Sequence, residues 1–279
     1  MPTYVGIMGW PVSHSRSPAM HNAAFQALGM DWRYLFLPVA PDDVEEAVCG
    51  LRALRFAGAN VTVPHKRAVI PALDRVTVEA RAIGAVNTIV NRDGVLEGHN
   101  TDAIGFLRAL REAGFEPRGC RAVVLGAGGA ARAIVYTLLA AKATVTVVNR
   151  TLSRARHLAE ELGALFRVHI PTLPLSAGPA LQTALAKADL LVNATSVGMA
   201  PNVDASPLPD GVTIPPTLTL YETIYTPRET ALMGQAHRAG ARVIGGLGML
   251  LHQGAVAFEL WTATSPPLEV MRRAIEAEL

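Results

Sequence analysis

The stretch Arg121–Ala133, RAVVLGAGGAARA, decides how the second half of the chain folds. It begins as a strand and ends as a helix, and the pattern G-x-G-x-x-A lies between the two. The first glycine permits a tight turn, and the second lets a pyrophosphate approach the backbone at the helix N-terminus. Glycine turns after strands are common, but a second strand, TVTVVNR, follows at the distance that a βαβ unit requires. The stretch therefore predicts a dinucleotide site, whose residues are Gly126, Ala127, Gly128, Gly129, Ala130 and Ala131.

The residues that follow this second strand indicate which dinucleotide is bound. An NAD site usually has an acidic residue there for the ribose hydroxyls, whereas this chain reads NRTLSR. The two guanidiniums of Arg150 and Arg154, with Asn149 and Thr151, suit a 2′-phosphate, because arginine offers paired donors matched to phosphate oxygens. The alternative is two solvated arginines, which a helix N-terminus disfavours when no anion is near. The pattern predicts NADP.

Composition excludes several classes of protein. The chain has 279 residues, of which 50% are hydrophobic and 17% charged, so it has room for two domains with large cores. The net charge is +2 and no basic run occurs, which argues against a nucleic-acid partner. Cys49 and Cys120 lie far apart and favour a reducing, cytoplasmic location. The eight histidines form no ligand spacing, so we expect no metal.

No segment of the sequence predicts membrane insertion or export. The N-terminus lacks a basic segment followed by an apolar one, so we expect no signal peptide. The most apolar run, VIGGLGMLLHQGAVAF, is shorter than a membrane span and is interrupted by His252 and Gln253. We interpret this run as buried protein.

Strand-like runs alternate with helical patterns nearly throughout, which predicts an α/β fold with parallel sheets. In the first half, Ser17 is a candidate N-cap with Pro18 at the first helical position. Asp93-Gly94 between VNTIVN and VLEGHN predicts a hairpin. The segment MAPNVDASPLPDGVTIPP predicts a long surface loop, and SPPLEVMRRAIEAEL an amphipathic helix.

The segment GANVTVPHK combines a short strand with a polar face. Alternation places Asn60 and Thr62 on one side, while Val61 lies on the other, and Pro64 is predicted to end the strand just before Lys66. Further polar groups stand at predicted element ends in SHSRSP, GAVNT and GHNTD. Each has a structural explanation, such as a cap or a turn amide. Together they lie where α/β sheets place ligands.

These strings, with GAGGAARA, NRTLSR, NATSVGM, YTP and GGLGMLLHQG, resemble the shikimate dehydrogenase family, in family order across nearly the full chain. The resemblance implies NADP-dependent, reversible interconversion of 3-dehydroshikimate and shikimate in aromatic amino-acid biosynthesis. It also implies two α/β domains with the active site in the cleft between them. We expect residues 1–103, completed by the C-terminal helices 247–279, to form the substrate-binding domain, and residues 104–246 the Rossmann-like NADP-binding domain. The protein would be a monomer or a homodimer.

The resemblance also implies a role for each matching residue. Lys66 would be the catalytic acid/base, working with Asp102. The predicted substrate-binding residues are Ser15, Ser17, Asn60, Thr62, Lys66, Asn87, Asp102, Tyr225 and Gln253. In addition to the phosphate and ribose residues named above, the predicted nicotinamide side is formed by Thr195, Met199, Gly246 and Met249.

Two alternatives remain at this point. One is a quinate/shikimate dehydrogenase of the same fold with broader cofactor use, against which NRTLSR and the serine pair argue. The other is a catalytically silent NADP-binding sensor, which would be expected to have lost Lys66 or Asp102. One departure from the family pattern occurs in YETIYTP, where Glu222 replaces the usual aspartate near Tyr225.

Overall fold

A computed structural model describes residues 1–277 and divides them into two compact units. Of the described residues, the first unit contains Met1–Gly105 and residues 250–277, and the second contains Phe106–Met249. Each contains a six-stranded sheet. The predicted functions of the two domains and the cleft between them stay predictions, and the last two residues of the predicted C-terminal part, 278 and 279, lie outside the described residues.

The first unit is built on a mixed sheet with the strand order β2-β1-β3-β5-β6-β4. Its strands are β1 (Thr3–Gly9), β2 (Trp32–Pro38), β3 (Gly58–Val61), β4 (Arg75–Val76), β5 (Thr88–Arg92) and β6 (Val95–His99). Its helices are α1 (Ser17–Ala27), α2 (Val44–Ala53), α3 (Val78–Ile83) and α10 (Leu268–Glu276). The unit boundaries fall inside α4 (Asp102–Glu112) and α9 (Leu247–Thr262).

The hairpin predicted at Asp93-Gly94 is confirmed. Both residues have positive φ, 53° and 89°, and the Gly94 N–H donates to the Asn91 side chain at 2.8 Å. These angles match the right-handed twist of the flanking strands, so β5 and β6 pair in antiparallel register. As a result, the residues that precede β5 and follow β6 lie at the same edge of the sheet.

Two local predictions in the first unit are wrong. Helix α1 begins at Ser17 itself, with Arg16 at the N-cap and Pro18 in the second position, so Ser17 does not cap the helix. Strand β3 ends at Val61 rather than at Pro64. The chain already turns at Thr62, because the His65 N–H donates to the Thr62 carbonyl at 2.9 Å.

The second unit is an all-parallel sheet with the strand order β12-β11-β10-β7-β8-β9. Its strands are β7 (Arg121–Leu125), β8 (Thr144–Asn149), β9 (Thr172–Pro174), β10 (Leu190–Asn193), β11 (Thr219–Glu222) and β12 (Arg242–Ile244). Its helices are α5 (Gly129–Ala140), α6 (Leu152–Phe166), α7 (Gly178–Ala186) and α8 (Ala231–Arg238). From β7 at the centre of this sheet the chain continues outward through β8 and β9, and then returns to the other side of β7 to form β10, β11 and β12. The strand order therefore reverses between β7 and β10.

Alternation along β7 explains why helices cover both faces of this sheet. Ala122 and Val124 belong to the core cluster beneath α5 and α6, whereas Val123 and Leu125 belong to the cluster beneath α7 and α8. A strand that is buried on both sides needs an uninterrupted apolar run, which RAVVL supplies. The α/β fold with parallel sheets is therefore confirmed.

The predicted loop, the predicted C-terminal helix and the most apolar run each have a counterpart in the structure. Residues 199–216 contain neither helix nor strand, as predicted for a long loop, and the amphipathic C-terminal helix corresponds to α10. The run from Val243 to Phe258 contributes to β12 and α9. No helix among the described residues has the length and apolar character needed to cross a membrane.

Candidate active site

Four strands of the first sheet bring polar side chains to one edge. Strands β1 and β3 are parallel, so both end there, while β5 begins there because it runs antiparallel to β3. Strand β6 ends there in turn. Asn60 lies near the end of β3, Asn87 immediately precedes β5, and Thr101 and Asp102 follow β6. The carboxyl ends of strands are where α/β sheets bind ligands.

Asn87 is the centre of the resulting hydrogen-bond network. Its amide nitrogen donates to Thr101 Oγ1 and Asp102 Oδ1, both at 2.9 Å, and to Gln253 Oε1 at 3.3 Å. Its amide oxygen accepts the Thr101 backbone N–H at 2.7 Å. Because both ends of the amide are engaged, its orientation is fixed, and so is the pattern of donors and acceptors around it.

Lys66 and Asp102 form an ion pair beside this network, with 2.5 Å between Nζ and Oδ2. The side chains are only 14% and 6% exposed, so water screens the pair weakly. The Lys66 carbonyl accepts the Val86 N–H at 2.7 Å, which holds the lysine backbone against the start of the neighbouring segment. Asp102 is the first residue of α4, where the helix dipole favours a carboxylate. The backbone position of each member of the ion pair is thus fixed.

Asn100 performs the capping that would otherwise fall to Asp102. Its side-chain oxygen accepts the Ala103 N–H at 3.2 Å, and its amide donates to the Ala85 carbonyl at 2.9 Å. The Asp102 carboxylate is therefore available to Lys66 and Asn87.

Asn60 is buried and its amide is occupied by protein groups. It donates to Thr88 Oγ1 at 3.0 Å and to the Asn87 carbonyl at 3.2 Å, and it accepts the Tyr34 hydroxyl at 2.8 Å. Thr62, by contrast, is only partly buried and lies in the turn after β3. The structure thus places both residues at the predicted edge, while direct contact of either with a substrate stays a prediction.

Ser15 and Ser17 lie at the N-terminus of α1. Both are buried, and the Ser17 N–H donates to Ser15 Oγ at 3.3 Å. Within residues 1–277 the Ser17 hydroxyl has no hydrogen-bond partner, and no acidic residue occupies the first turn. Arg16 between them donates to the Ile275 carbonyl at 3.0 Å and ties this helix start to α10. Two hydroxyls at a helix N-terminus suit an anionic group such as a carboxylate.

Gln253 extends from α9 to the same network, since its Oε1 accepts from Asn87 and its Nε2 donates to the Leu250 carbonyl at 2.9 Å. Tyr225, in contrast, belongs to the second unit, after β11. Its predicted contribution to substrate binding stays a prediction.

The glycine turn of the second unit lies at the switch point between β7 and β10. Gly126 has φ of +113°, and a Cβ there would lie 2.8 Å from the Ala194 carbonyl oxygen, so only glycine fits. Gly128 precedes α5, and a Cβ on it would meet no atom within 4 Å. Open space thus lies directly before a helix N-terminus that has no acidic residue in its first turn. Ala131 is completely buried, whereas Ala127, Gly129 and Ala130 are half-buried. These features fit a bound pyrophosphate.

The ribose-phosphate residues lie between β8 and α6. Asn149 ends β8 and donates to the Thr151 carbonyl at 2.9 Å, and Thr151 is the N-cap of α6 without a side-chain capping bond. Arg150 and Arg154 are exposed, and neither guanidinium forms a hydrogen bond or ion pair within residues 1–277. Helix α6 also lacks an acidic residue in its first turn. Two available guanidiniums beside a helix N-terminus fit a phosphate group.

The predicted nicotinamide residues differ in their surroundings. The Thr195 hydroxyl donates to Asn193 Oδ1 at 2.7 Å. Met199 lines a pocket within the loop after β10, and Met249 is buried in the core. Gly246 packs against the backbone at the end of β11, where a Cβ would collide with the Thr223 carbonyl.

Sequence reasoning missed Tyr34, Thr88 and Asn193, which hold the predicted residues in place. It noted Glu222 only as a departure from a pattern, whereas this carboxylate is fully buried and accepts from Asn193, at 3.0 Å to each oxygen. The available signal was a polar residue at the end of an apolar strand in both LLVN and TLYE. Burial raises the pKa of the Glu222 carboxyl, and the donated hydrogen bonds oppose that shift.

The reversal of strand order and the glycine turn define the second unit as a Rossmann-type dinucleotide-binding fold. Three family descriptions match the chain: "Shikimate dehydrogenase substrate binding domain" over residues 7–89, "Shikimate / quinate 5-dehydrogenase" over 109–206 and "Shikimate 5'-dehydrogenase C-terminal domain" over 246–276. The chain belongs to the shikimate dehydrogenase family, which confirms the resemblance.

Individual relatives agree over nearly their full lengths. The chain is 50% identical to a Moorella thermoacetica protein named shikimate dehydrogenase (NADP(+)), covering 97% of this chain and 92% of the relative. A Methanopyrus kandleri protein of the same name is 48% identical, with 97% and 94% covered. The crystal structure of Thermus thermophilus shikimate 5-dehydrogenase in complex with NADP(H) and shikimate is 40% identical, with a TM-score of 0.87 and 99% and 100% covered.

Proposed function

We propose that this protein catalyses the NADP-dependent, reversible reduction of 3-dehydroshikimate to shikimate, a step of aromatic amino-acid biosynthesis. The observation that carries the proposal is the nearly buried Lys66–Asp102 pair beside an oriented network of neutral donors and acceptors. Membership of the family and the NADP(+)-dependent names of its relatives support the same reaction. The first unit would bind the substrate and the second would bind NADP.

The polar network of the first unit supports recognition of a polyhydroxylated ring. Asn87, Thr101 and Gln253 offer amide and hydroxyl groups whose polarity is fixed by their mutual bonds. Groups of fixed polarity discriminate among hydroxyl positions, because a misplaced hydroxyl would leave a buried group unpaired. Ser15 and Ser17 would bind the substrate carboxylate at the start of α1.

The proton transfer would be carried out by the Lys66–Asp102 pair. When bound, NADPH supplies the hydride that converts the ketone carbon to a carbinol. Negative charge then develops on the ketone oxygen, and the Lys66 ammonium is the proton donor that we assign to it. Asp102, held by Asn87 and by the start of α4, keeps the lysine in place and provides a second site for the proton. In the reverse direction the pair accepts the proton of the shikimate hydroxyl.

Cofactor preference would be decided by the residues between β8 and α6. Arg150 and Arg154 have no carboxylate partner in the described residues, so their charges are available to a 2′-phosphate. The same feature argues against the alternative of broad cofactor use. The alternative of a silent NADP-binding sensor is disfavoured because the lysine and the aspartate are both present and paired.

The test is an activity matrix with purified protein: shikimate and quinate, each with NADP and with NAD. We expect turnover efficiency to be highest for shikimate with NADP. Comparable efficiency with quinate or NAD would favour the broader enzyme, and no turnover in any combination, with NADPH still bound, would favour the sensor. We further propose a cytoplasmic location. We also propose a monomer or homodimer, an oligomeric state that light scattering of the same preparation would determine.

A further inference from the structure

The loop that follows β10 in the second unit rests on a buried carboxylate that the proposed reaction does not use. Glu222 ends β11 and is completely buried, and Asn193 ends β10 directly opposite in parallel register. The Asn193 amide nitrogen donates to both carboxylate oxygens at 3.0 Å. The other donors to this carboxylate include the Ile224 N–H at 3.1 Å and the Thr230 hydroxyl at 3.0 Å.

This arrangement imposes a direction on the hydrogen bonds beyond it. A carboxylate only accepts, so Asn193 must turn its nitrogen toward Glu222 and its oxygen toward the loop. That oxygen accepts the Thr195 N–H at 3.1 Å and the Thr195 hydroxyl at 2.7 Å. The hydroxyl, having donated to Asn193, accepts the Val197 N–H at 3.2 Å. The Glu222 carboxylate therefore orients, one after the other, the Asn193 amide, the Thr195 hydroxyl and the hydrogen bond from the Val197 N–H.

The oriented loop contacts the glycine turn at the switch point. A Cβ on Gly126 would lie 2.8 Å from the Ala194 carbonyl oxygen and 3.3 Å from the Thr195 methyl group. Gly246 packs against the backbone at the end of β11. A Cβ added at Gly246 would lie 3.0 Å from the Glu222 carbonyl oxygen. A shift of the loop would therefore move both the turn and the residues predicted to face the nicotinamide.

We propose that Glu222 is a positioning residue for the dinucleotide, acting through Asn193 on Thr195 and the Gly126 turn. The proposal rests on the proposed function only for the identity of the dinucleotide, which we take to be NADP. Replacing Glu222 with Gln removes the charge and leaves one acceptor oxygen beside one donor nitrogen, so the Asn193 amide is no longer held in a single orientation and the bonds that its oxygen accepts from Thr195 weaken. Replacing it with Asp retains an acceptor-only group on a shorter side chain.

The experiment measures NADPH affinity by fluorescence titration of the full chain, which requires no turnover. For Glu222→Gln we expect the NADPH dissociation constant to rise roughly 10-fold, as loss of a charge-assisted hydrogen bond implies. The KM for shikimate should stay within about twofold, since the first unit is untouched. For Glu222→Asp we expect the NADPH dissociation constant to stay within about threefold of the wild-type value, because the aspartate carboxylate can still orient Asn193.

Two further variants separate positioning from stability alone. Asp189→Asn removes a carboxylate at the opposite edge of the same sheet, where it accepts from the Arg121 backbone and guanidinium. It should lower the melting temperature without changing NADPH affinity. In a Thr195→Val background, the effect of Glu222→Gln should fall below about threefold, because the hydroxyl that receives the orientation is gone.

Unchanged NADPH affinity in Glu222→Gln would overturn the proposal, as would equal losses in Glu222→Gln, Glu222→Asp and Asp189→Asn. If Glu222→Gln does not fold, Asn193→Ala interrupts the same chain of bonds, and native affinity in that variant would also overturn it. Absence of shikimate turnover in wild type, together with the expected pattern of affinities, would refute the proposed reaction and leave this inference standing.

Discussion

His21 in α1 is expected to make the stability of the first unit depend on pH. The imidazole is fully buried and stacks on the Tyr34 ring, with 4.6 Å between centroids and 1° between planes. The Trp261 ring lies 5.4 Å away and the Phe258 ring 6.3 Å away. Neither imidazole nitrogen has a hydrogen-bond partner among the described residues. Burial lowers the pKa of His21 from 6.5 to about 3, because the charged imidazolium is disfavoured away from water.

The size of the effect follows from this difference in pKa. The folded protein keeps His21 neutral, whereas the unfolded chain takes up a proton as the pH falls below 6.5. The free energy of unfolding therefore decreases below pH 6.5, by about 1.4 kcal/mol for each further pH unit, until the folded pKa is reached. At pH 5 the expected loss relative to pH 8 is about 2 kcal/mol from this residue alone.

The assay is urea denaturation at pH 8 and pH 5, followed by tryptophan fluorescence. The chain has three tryptophans, Trp10, Trp32 and Trp261, and all lie in the first unit. Wild type is compared with His21→Phe, which keeps an aromatic ring but cannot bind a proton, and with the control His169→Asn, which removes an exposed histidine of the second unit. The free energy of unfolding falls from pH 8 to pH 5 in all three proteins. We expect the decrease in His21→Phe to be about 2 kcal/mol smaller than the decrease in wild type and in the control. Burial also lowers the pKa of His99, but its contribution is common to all three proteins. Equal losses in wild type and His21→Phe would refute the reasoning.

The remaining predictions concern the proposed reaction. Lys66→Ala should reduce turnover by about 10²- to 10⁴-fold while NADPH still binds, and near-native turnover would exclude Lys66 as the acid/base. Ser15→Ala and Ser17→Ala should raise the KM for shikimate more than they lower kcat, because contacts with a carboxylate remote from the ketone contribute uniform binding; unchanged KM at native stability would count against the carboxylate site. The double variant Arg150→Ala/Arg154→Ala should lose preference for NADP, measured as kcat/KM with NADP divided by kcat/KM with NAD. Each arginine should contribute about one to two decades to this ratio if the two losses are independent. An equal loss of activity with both cofactors would indicate that the arginines are structural.

The nucleotide-binding features could be predicted from sequence because each depends on neighbours along the chain. The turn at Gly126 is specified by an apolar strand before it and a helix after it, and its positive φ of 113° needs only the residue itself. The absence of an acid near Arg150 and Arg154 is equally local. The hairpin at Asp93 and Gly94 belongs to the same class, since turn type follows from the dipeptide.

Features that depend on distant residues could not be predicted. Asn193 and Glu222 meet because β10 and β11 pair in parallel register, although a long segment without a strand separates them along the chain. No pattern in that segment indicates that these two strands are neighbours. The end of β3 depends on the turn closed by His65, whose ring reaches the Val39 carbonyl at 2.7 Å. His21 reads in the sequence as one polar residue in an apolar helix, and only the packing reveals that its nitrogens are unpaired within the described part of the chain.

The two units each use a carboxylate to orient an asparagine at the end of a strand, but the charges are compensated differently. Asp102 accepts from Asn87 and also from the Lys66 ammonium, whereas the hydrogen bonds donated to Glu222 come from neutral groups, among them Asn193 and backbone N–H groups. Removing the ammonium in Lys66→Ala would leave the buried Asp102 carboxylate without an opposite charge, with the neutral Asn87 as its remaining side-chain partner among the described residues. The variant therefore loses stability as well as the proton donor. The variant should therefore unfold at lower urea concentration in the first unit, while the second unit keeps its affinity for NADPH. A loss of turnover accompanied by native stability and native NADPH affinity would assign Lys66 to chemistry alone and would show that Asp102 does not need it for folding.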